Sequence, residues 1–451
     1  GSAEVSWKDL VYLTVTGRND WFSTLPKNSN SILYPSVSTS FVFSDAFDLP
    51  DVITFGKLRA SWAQVGGGTD PYQLALNYSL VGQGHQGAAL GRINQGSVPN
   101  NQLQPLTLEE YEIGFDVRLF DNRVGFDYAF YSKKTSNDIL QAAISSSSGF
   151  GSATVNVGEV SNTGHEFLLT VNPVQNINFN WDVLLNFSYN ENDVEQLYKD
   201  SKVLQVQEAR NRDAKSQHRI AYTDADGEYF EGGYSMIVGR AHKLINGEKV
   251  YDKDGLPVYD SKQRVLGSGI HPWTGGVQNN FQYKGFNFGF LVDFKFGGDL
   301  YTGTNATTYR NGMHKATLEG REDGLTISGV DENGNSQTWN ILPNTPANKD
   351  EVTVQDYYSR LGEITEYFVE DASFVKLRSL TIGYQIPFSF LEGLPINGAS
   401  VSLVGRNLLL IYSKVDNVDP ESTYNTSNGQ GLEFFGAPQT RSVGLNLNLK
   451  F

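Results

Sequence analysis

Residues 111–130 read YEIGFDVRLFDNRVGFDYAF, two alternating runs joined by a polar pair. In each run every second residue is apolar or aromatic, and the residues between them are small, polar or charged. A period of two residues is that of a β-strand with one apolar face. Asp121 and Asn122 favour a tight turn, so the stretch predicts an antiparallel hairpin.

The same alternation recurs along the whole chain, for example at residues 11–16, 37–43, 288–296 and 443–451. A soluble β-sandwich also alternates, but its strands are typically about 5 or 6 residues long. The runs here reach about 9 to 14 residues, the length that a tilted strand needs to cross a bilayer. In a barrel, the polar face of each run would line a water-filled interior.

The connections between the runs alternate between short and long. Short turns are predicted at about 45–53, 121–122, 172–177, 284–286 and 387–398. Long loops are predicted at about 17–33, 66–106, 136–155, 191–273, 298–369 and 412–440. Short turns on one rim and long loops on the other are typical of outer-membrane barrels. The pattern predicts an all-β fold, in which residues 1–451 form about twelve strands of a transmembrane antiparallel β-barrel with long extracellular loops.

The composition excludes several classes of protein. The 451 residues include no cysteine, which excludes a disulfide framework, a zinc site with cysteine ligands and a thiol nucleophile. The formal net charge of −15 argues against a nucleic-acid partner, because binding to phosphates needs clustered Lys and Arg. No run approaches about 18 consecutive apolar residues, so no membrane-spanning helix is predicted.

The sequence also lacks the motifs of common enzyme classes, among them G-x-S-x-G, the Walker loop and H-E-x-x-H. We therefore predict a protein that is not an enzyme and holds no cofactor. Three acidic segments, Asp224–Glu228, Asp252–Gly255 and Asp331–Asn335, carry the oxygen ligands that calcium prefers. None continues into a complete calcium-binding loop, so Asx turns are the favoured interpretation and calcium binding is the weaker alternative.

Arg18, Asn19, Asp20 and Trp21 follow the first alternating run, where a strand would leave the outer leaflet. Trp21 suits the aromatic girdle of a membrane interface, and the polar residues suit hydrogen bonds to other loops or to ligand hydroxyl groups. The structural interpretation is favoured over ligand contact. Aromatic rings stack on sugar rings, so aromatic and polar residues of the loops or lumen are candidates for ligand binding. The candidates are Arg18, Asn19, Asp20, Trp21, Trp273, Tyr309 and Tyr424.

Six segments, in order along the chain, resemble the SusC/RagA-type TonB-dependent transporters of Bacteroidetes outer membranes. They are TGRNDWFSTLP (16–26), NVGEVSNTGHEF (156–167), GGDLY (297–301), FVKLRSLTIGYQIP (374–387), GRNLLLIYSKVDNVDPE (405–421) and PQTRSVGLNLNLKF (438–451). Each segment is modest by itself, but six in order form a specific signal.

The resemblance implies that the chain forms about the last twelve strands of a 22-stranded barrel, with the plug domain absent from this chain. It implies TonB-dependent import of oligosaccharides, as glycan breakdown products, across the Gram-negative outer membrane. The implied partners are a SusD-like lipoprotein lid, the remaining plug and barrel portion, TonB through that portion, a glycan ligand and membrane lipids. The alternatives are a peptide importer of the same family, a secreted all-β glycan-active enzyme and a passive porin.

Overall fold

The computed structural model describes residues 1–451 except 83, 94–95, 157, 198–200, 224–226, 349, 394 and 423–428. Thirteen strands belong to one antiparallel sheet. They are β1 (Ser2–Trp7), β2 (Val11–Trp21), β3 (Ser31–Val42), β4 (Ile53–Gly67), β5 (Leu106–Leu119), β6 (Val124–Ser136), β7 (Glu159–Gln175), β8 (Phe179–Gln196), β9 (Trp273–Tyr283), β10 (Phe286–Phe296), β11 (Phe374–Ile386), β12 (Gly398–Ser413) and β13 (Ser442–Lys450).

Helices and shorter strands occupy the long connections. Helix α1 spans Gly303–Arg310 and helix α2 spans Val354–Leu361. The shorter strands are Tyr78–Leu80, Gly91–Ile93, Ser97–Val98, Ile139–Ala143, Ser152–Asn156, Val203–Glu208, Ala214–Arg219, Tyr222–Thr223, Tyr229–Phe230, Gly233–His242, Leu244–Ile245, Glu248–Lys249, Tyr259–Ser268, Asp299–Thr302, Leu325–Val330, Ser336–Ile341, Val369–Asp371 and Leu432–Glu433. The 3₁₀ helices are Ser146–Ser148, Lys315–Leu318, Pro346–Asn348, Thr365–Phe368 and Phe388–Phe390. Among the described residues, no helix is long and apolar enough to cross a membrane.

The chain divides into two compact units. Unit 1 contains Gly1–Pro173 and Leu184–Leu204, and its sheet strands follow one another from β1 to β7 and into most of β8. Unit 2 contains Val174–Val183 and Gln205–Phe451, and its sheet strands run from the first residues of β8 through β9 to β13. Within each unit, strands that follow one another in this series are neighbours in the sheet, so the strand order is that of a meander.

The strand register of unit 1 keeps apolar residues on one face of the sheet. One row of mutually opposed residues crosses seven strands and consists of Trp7, Val11, Phe41, Leu58, Phe115, Tyr128 and Phe167. The adjacent row consists of Ser6, Tyr12, Ser40, Arg59, Gly114, Ala129 and Glu166. Because opposed residues share a face, the alternation in the sequence produces one apolar and one mostly polar or small face.

Unit 2 shows the same separation of faces. One row consists of Phe281, Phe288, Ile382, Leu403 and Leu445, and the adjacent row of Gln282, Asn287, Gly383, Ser402 and Asn446. Ile382 and Leu403 are each 48% exposed. Apolar side chains with this exposure, repeated over successive strands, fit a face that is turned toward lipid. The amide and hydroxyl groups of the adjacent row fit a face that is turned toward water.

Short and long connections alternate, as the sequence pattern indicates, except that the connection 22–30 between β2 and β3 is no longer than its short neighbour 43–52. The short connections are 8–10, 43–52, 120–123, 176–178, 284–285 and 387–397, and the long connections after β4, β6, β8, β10 and β12 are 68–105, 137–158, 197–272, 297–373 and 414–441. In the turn 284–285, Lys284 and Gly285 have φ angles of 44° and 89°. Such left-handed backbone matches the twist of the two strands that it joins.

The sheet has thirteen strands, one more than the number of runs recognised in the sequence, because β1 precedes the first of those runs. Lys8 and Asp9 join β1 to β2 with φ angles of 52° and 55°, and the amide of Leu10 donates to the carbonyl of Trp7 at 3.0 Å. These angles are those of a two-residue hairpin turn, which Asn-Gly and Asp-Gly most often form. Lys-Asp lacks that signature, so the sequence did not reveal the hairpin.

The predicted loop 17–33 is too long, because β2 continues to Trp21 and β3 begins at Ser31. Residues Gly17 to Trp21 pair with residues Ser31 to Pro35 in an unbroken antiparallel ladder. The ladder is made by backbone N–H and C=O groups, which pair whether or not the side chains alternate in polarity. Strand β2 therefore extends beyond the alternating segment of its sequence, and the connection between β2 and β3 is 22–30.

The long loops of unit 2 have a hydrophobic core of their own. Tyr301 at the end of the short strand before α1 is 0% exposed, and Phe368 in the 3₁₀ helix before Val369 is 2% exposed. Both belong to a cluster that also contains Tyr309 of α1, Val354 and Tyr358 of α2. Full burial of one such side chain stabilises by about 1.5–3 kcal/mol. The loops are therefore a packed layer that can hold polar groups in fixed positions.

Candidate functional site

The polar segment at the end of β2 is divided between the two faces of the strand. Arg18 and Asp20 lie on the polar face, where Arg18 Nε donates to Asp20 Oδ1 at 2.7 Å. Asn19 and Trp21 lie on the opposite face, and Asn19 Nδ2 donates to Ser31 Oγ at 3.0 Å. Trp21 is 70% exposed and shares the face of the apolar row of unit 1, as a girdle residue does. The structure does not bring the four residues into one cluster.

The other three candidates have different surroundings. Trp273 is the first residue of β9, stands opposite Phe296 and lies on the same face as Phe281, the apolar face of unit 2. Tyr309 of α1 is only 9% exposed, and its ring contacts those of Tyr358 and Phe368 with centroids 5.9 and 5.1 Å apart. Burial raises the pKa of the Tyr309 phenol, which therefore stays protonated. Tyr424 lies outside the described residues.

The most extensive set of ionic contacts in the described part of unit 2 begins at a β-bulge in β11. Leu377 stands opposite Val292 and Ser379 stands opposite Leu291, so Arg378 between them has no opposed residue on β10. A bulge of this kind changes the direction of a side chain, which can then point to the opposite face from the one that regular alternation would give it. On β12, Asn407 has a left-handed φ of 51° beside the same irregularity. Arg378 thereby reaches the polar face.

Five charged side chains meet at this bulge. Lys376 Nζ lies 2.7 Å from both Asp419 Oδ1 and Glu421 Oε2. Arg378 contacts Asp293 Oδ2 at 2.5 Å and Glu421 Oε2 at 2.9 Å. The side chain of Lys376 is 7% exposed and those of Asp419 and Glu421 are each 13% exposed. We call these five residues the ionic cluster.

All three nitrogen atoms of the Arg378 guanidinium donate hydrogen bonds. Besides the carboxylates, its Nη1 donates to Asn407 Oδ1 and Gln439 Oε1, both at 3.1 Å. Asn407 Nδ2 in turn donates to the carbonyl of Thr440 at 3.3 Å. The cluster thus ties both ends of the connection 414–441 to β10, β11 and β12. Because the planar guanidinium of Arg378 donates to several acceptors at once, these contacts fix the position of the loop on the polar face.

The two loop carboxyls of the cluster are ionised. Burial alone would raise the pKa of Glu421, but the hydrogen bond and charge of Lys376, together with Arg378, hold it below its ordinary value of 4.5. Burial also acts to raise the pKa of Asp419, and the hydrogen bond from Lys376 and the amide of Glu421 hold it below 3.8. Asp419 and Glu421 are therefore carboxylates at neutral pH.

The sequence analysis missed this cluster, although a signal was present. In FVKLRSLTIGYQIP, Lys376 and Arg378 occupy even positions, whereas the polar residues that follow, Ser379 and Thr381, occupy odd positions. Such a change of parity within one strand indicates a bulge. The acidic partners Asp419 and Glu421 lie about forty residues away in a loop, and nothing local to them predicts where they dock.

A second set of polar contacts joins helix α1 to the last loop. Glu433, which is 1% exposed, accepts hydrogen bonds from the amide and hydroxyl of Thr304 at 3.1 and 2.6 Å, in the first turn of α1. Asn305 donates to the carbonyl of Asp416 at 3.0 Å, and Asn417 Nδ2 donates to Asn305 Oδ1 at 2.9 Å. A carboxylate at a helix N-terminus is stabilised by the helix dipole and by free amides.

Helix α1 is also fixed at its C-terminal end. Arg310 Nη2 lies 2.8 Å from Asp213 Oδ2 and donates to the carbonyl of Gly362 at 2.6 Å. Burial raises the pKa of Asp213, while the hydrogen bond and charge of Arg310 oppose this rise. The two ends of α1 are therefore bonded to different loops, so α1 connects the loops 197–272, 297–373 and 414–441.

The acidic segments make Asx turns where the structure describes them. Asp252 Oδ1 accepts from the amides of Asp254 and Leu256, both at 2.9 Å. Asp331 Oδ1 accepts from the amides of Asn333 and Asn335, both at 2.9 Å. Three residues of the segment 224–228 fall outside the described residues. Among those described, no group of three or more His, Cys, Asp or Glu is arranged to hold a metal ion.

Comparison with known proteins identifies the family. Residues 1–230, just over half of the chain, match the family described as TonB dependent receptor-like, beta-barrel. TonB-dependent receptor P3 of Formosa agariphila is 26% identical over 100% of this chain and 45% of its own length. TonB-dependent receptor SusC of Bacteroides thetaiotaomicron is 24% identical over 100% of this chain and 43% of its own length.

Solved structures agree with the fold. The RagAB peptide transporter superimposes with a TM-score of 0.76 at 20% identity, over 100% of this chain and 47% of that chain. The chain thus spans less than half of the length of the relatives that it matches. The motifs that resemble SusC/RagA-type transporters, the alternating strands and these matches agree, and the chain belongs to the TonB dependent receptor-like β-barrel family of the Gram-negative outer membrane.

Proposed function

We propose that this chain forms part of the wall and several extracellular loops of a SusC-type TonB-dependent importer of oligosaccharides. The observation that carries the proposal is the docking of the loop 414–441 onto the polar face of β10, β11 and β12 by the ionic cluster. A loop fixed on the polar face of a barrel wall narrows the interior to a selective passage.

The proposal includes partners beyond this chain. A plug, further strands and a TonB-contacting segment would belong to the rest of the importer, and a SusD-like lipoprotein would cover the long loops. The relatives named TonB-dependent receptors support this assignment. Residues of the loops and of the polar face would contact the cargo by hydrogen bonds and ring stacking, without a covalent step.

Neutral oligosaccharides are the favoured cargo. The polar row of unit 2 presents neutral amides and hydroxyls, and the loops are rich in tyrosine, a combination that suits sugar hydroxyls and sugar faces. The net charge of −15 also disfavours anionic cargo through long-range repulsion. Short peptides are the second candidate, because the RagAB peptide transporter shares the fold.

The test is uptake by cells that carry the full-length protein. Fluorescent neutral oligosaccharides and fluorescent peptides are offered to the parent strain, to a strain without this protein and to a strain without TonB. We expect oligosaccharide uptake to be lost in both deletion strains and peptide uptake to be unchanged. Loss of peptide uptake alone would assign the peptide cargo instead, and uptake that does not depend on TonB would contradict the proposal.

A further inference from the structure

A cavity of about 410 Å³ lies within the connection 297–373, apart from the ionic cluster. Its floor contains Tyr309 of α1 and Val354 and Tyr358 of α2, and its walls include Arg321, Asn344 and Gln355. Small-molecule sites typically enclose about 300–1,000 Å³ and combine an apolar floor with a few polar groups. The cavity has both features, and its volume has room for one or two sugar rings.

The walls of the cavity are held in place before any ligand arrives. Arg321 Nε donates to the carbonyl of Thr317 at 2.7 Å, and Arg321 Nη2 donates to Thr317 Oγ1 at 2.8 Å and to the carbonyl of Gly312. The hydroxyl of Tyr358 lies 3.1 Å from the carbonyl of Ala316. At the start of α2, Thr353 and Asp356 form a capping box. A preformed site binds with a smaller loss of conformational entropy.

Two neutral amides are among the open polar groups of the cavity. Asn344 Nδ2 donates to Gln355 Oε1 at 2.7 Å, which orients both side chains. This bond uses one donor and one acceptor, so Asn344 Oδ1 remains able to accept and Gln355 Nε2 remains able to donate. A donor and an acceptor held side by side complement two neighbouring hydroxyl groups of a sugar ring.

The charged residues of the cavity offer an anionic ligand no net attraction. The Nε and Nη2 groups of Arg321 already donate to protein oxygen atoms, so a carboxylate cannot make a bidentate contact with that pair. Glu322, an exposed residue of the same wall, adds a negative charge. The opposite charges of Arg321 and Glu322 offset each other, so the terminal carboxylate of a peptide gains no net attraction here, whereas a neutral polyhydroxylated ligand needs none.

We propose that this cavity is a binding site for a neutral mono- or disaccharide unit, with Asn344 and Gln355 as the residues that recognise vicinal hydroxyls. The site goes beyond the wall and docked loop described above, and it rests on the proposed function only in the class of its ligand. It gives the loop 297–373 a role in holding saccharide, in addition to its role in packing.

The experiment is titration of the purified full-length protein with glucose, maltose, sucrose and cellobiose, followed by calorimetry and saturation-transfer difference NMR. The double variant Asn344→Leu and Gln355→Leu removes both amides from exposed positions. The control variant is Gln337→Leu, an exposed residue of the strand Ser336–Ile341 that does not line the cavity. We expect at least one neutral sugar to bind, with affinity reduced about tenfold or more in the double variant and unchanged in the control.

Glucuronic acid and alanyl-alanine serve as ligands of the disfavoured classes. Binding of either that is lost in the double variant would overturn the saccharide assignment. Equal sugar affinity in the double variant and the unmodified protein, or binding of no sugar, would overturn the site itself. Uptake of oligosaccharide by cells is measured separately, so uptake that persists while the cavity binds nothing would contradict this inference and leave the proposed function standing.

Discussion

At the scale of single residues, Lys376 and Lys414 form ion pairs with very different exposure. The Lys376 side chain is 7% exposed between Asp419 and Glu421, whereas the Lys414 side chain is 54% exposed beside Asp371. Removing one member of a buried pair leaves uncompensated charge away from water, which costs about 3–5 kcal/mol. An exposed pair contributes little, because water screens its charges. The two lysines therefore offer a matched test of the ionic cluster.

We expect Lys376→Met to release the loop 414–441 from the sheet, because Asp419 and Glu421 would then repel each other with only Arg378 to compensate them. The measurement is hydrogen exchange of this loop in the full-length protein, followed by mass spectrometry. Lys414→Met is the control and should leave the exchange rates of the loop nearly unchanged. Equal protection in both variants would show that the ionic cluster does not hold the loop.

The pKa values of the same carboxyls predict an acid limit for the docked loop. Both groups have a lower pKa in the docked state than in a released loop, so their ionised forms stabilise docking above about pH 4.5. This stabilisation is lost as the pH falls through the lowered values. We expect the loop to be as protected at pH 5 as at pH 7 and to become exposed below about pH 4. Release already at pH 6 would contradict the assignment of these carboxyls.

At the scale of elements, the small sheet that contains Ala214–Arg219, Gly233–His242 and Tyr259–Ser268 carries two buried histidines. Burial lowers the pKa of both His218 and His242 to about 4. The Nδ1 atom of His218 accepts from the amide of Ser235 at 3.1 Å, which requires that nitrogen to be unprotonated. Neither ring nitrogen of His242 has a hydrogen-bond partner among the described residues.

The neutral histidines make this small sheet sensitive to mild acid. A histidine whose pKa is lowered by folding stabilises the fold above about pH 6.5, and this contribution is lost between pH 6.5 and pH 4. The loss amounts to about 3 kcal/mol for each histidine. We expect the protection of Gly233–His242 against hydrogen exchange, measured relative to the intrinsic exchange rate at each pH, to fall over this range, at higher pH than in the loop 414–441.

The variant His242→Leu supplies the control for this element, because leucine cannot take up a proton and occupies a similar apolar site. We expect the protection of Gly233–His242, relative to the intrinsic exchange rate at each pH, to depend less on pH in this variant than in the unmodified protein. If the pH profile were the same in both proteins, the titration of His242 would not be the cause.

At the scale of the whole molecule, one face of the sheet is turned toward lipid and the other toward water. Leu447 on β13 stands opposite Val401, on the apolar face, and Asn446 stands opposite Ser402, on the polar face. Both residues are exposed in the structure. A charge on the lipid face of a barrel costs about 2–4 kcal/mol near the membrane midplane, whereas a charge in a watery interior costs little.

We expect Leu447→Arg to reduce the amount of folded protein in the outer membrane and Asn446→Arg to leave that amount nearly unchanged. The measurement is the folded fraction in purified outer membranes, from heat-dependent electrophoretic mobility and protease resistance. Because the two positions are adjacent in one strand, differences in synthesis or export do not explain a difference between them. Equal losses in the two variants would contradict the assignment of the faces.

How far the sequence predicts this protein depends on the range of the interactions concerned. The two-residue period of YEIGFDVRLF is a local signal, because the polarity of each side chain indicates whether it faces lipid or water. The register then aligns Phe115 with Tyr128 and Phe288 with Ile382, as the shared period requires. The sequence alone therefore determined the class of fold, the alternation of short turns and long loops, and the resemblance to the family.

Only the tertiary structure decided where the functional groups meet. Arg378 contacts Asp293 over 85 residues and Glu421 over 43 residues of chain, and α1 contacts Glu433 over 129 residues. Tyr309, a loop or lumen candidate for ligand binding in the sequence, lies buried in the core of the loops and lines a cavity. Such contacts depend on how distant loops pack and neutralise each other's charge, and no periodicity within a loop encodes them.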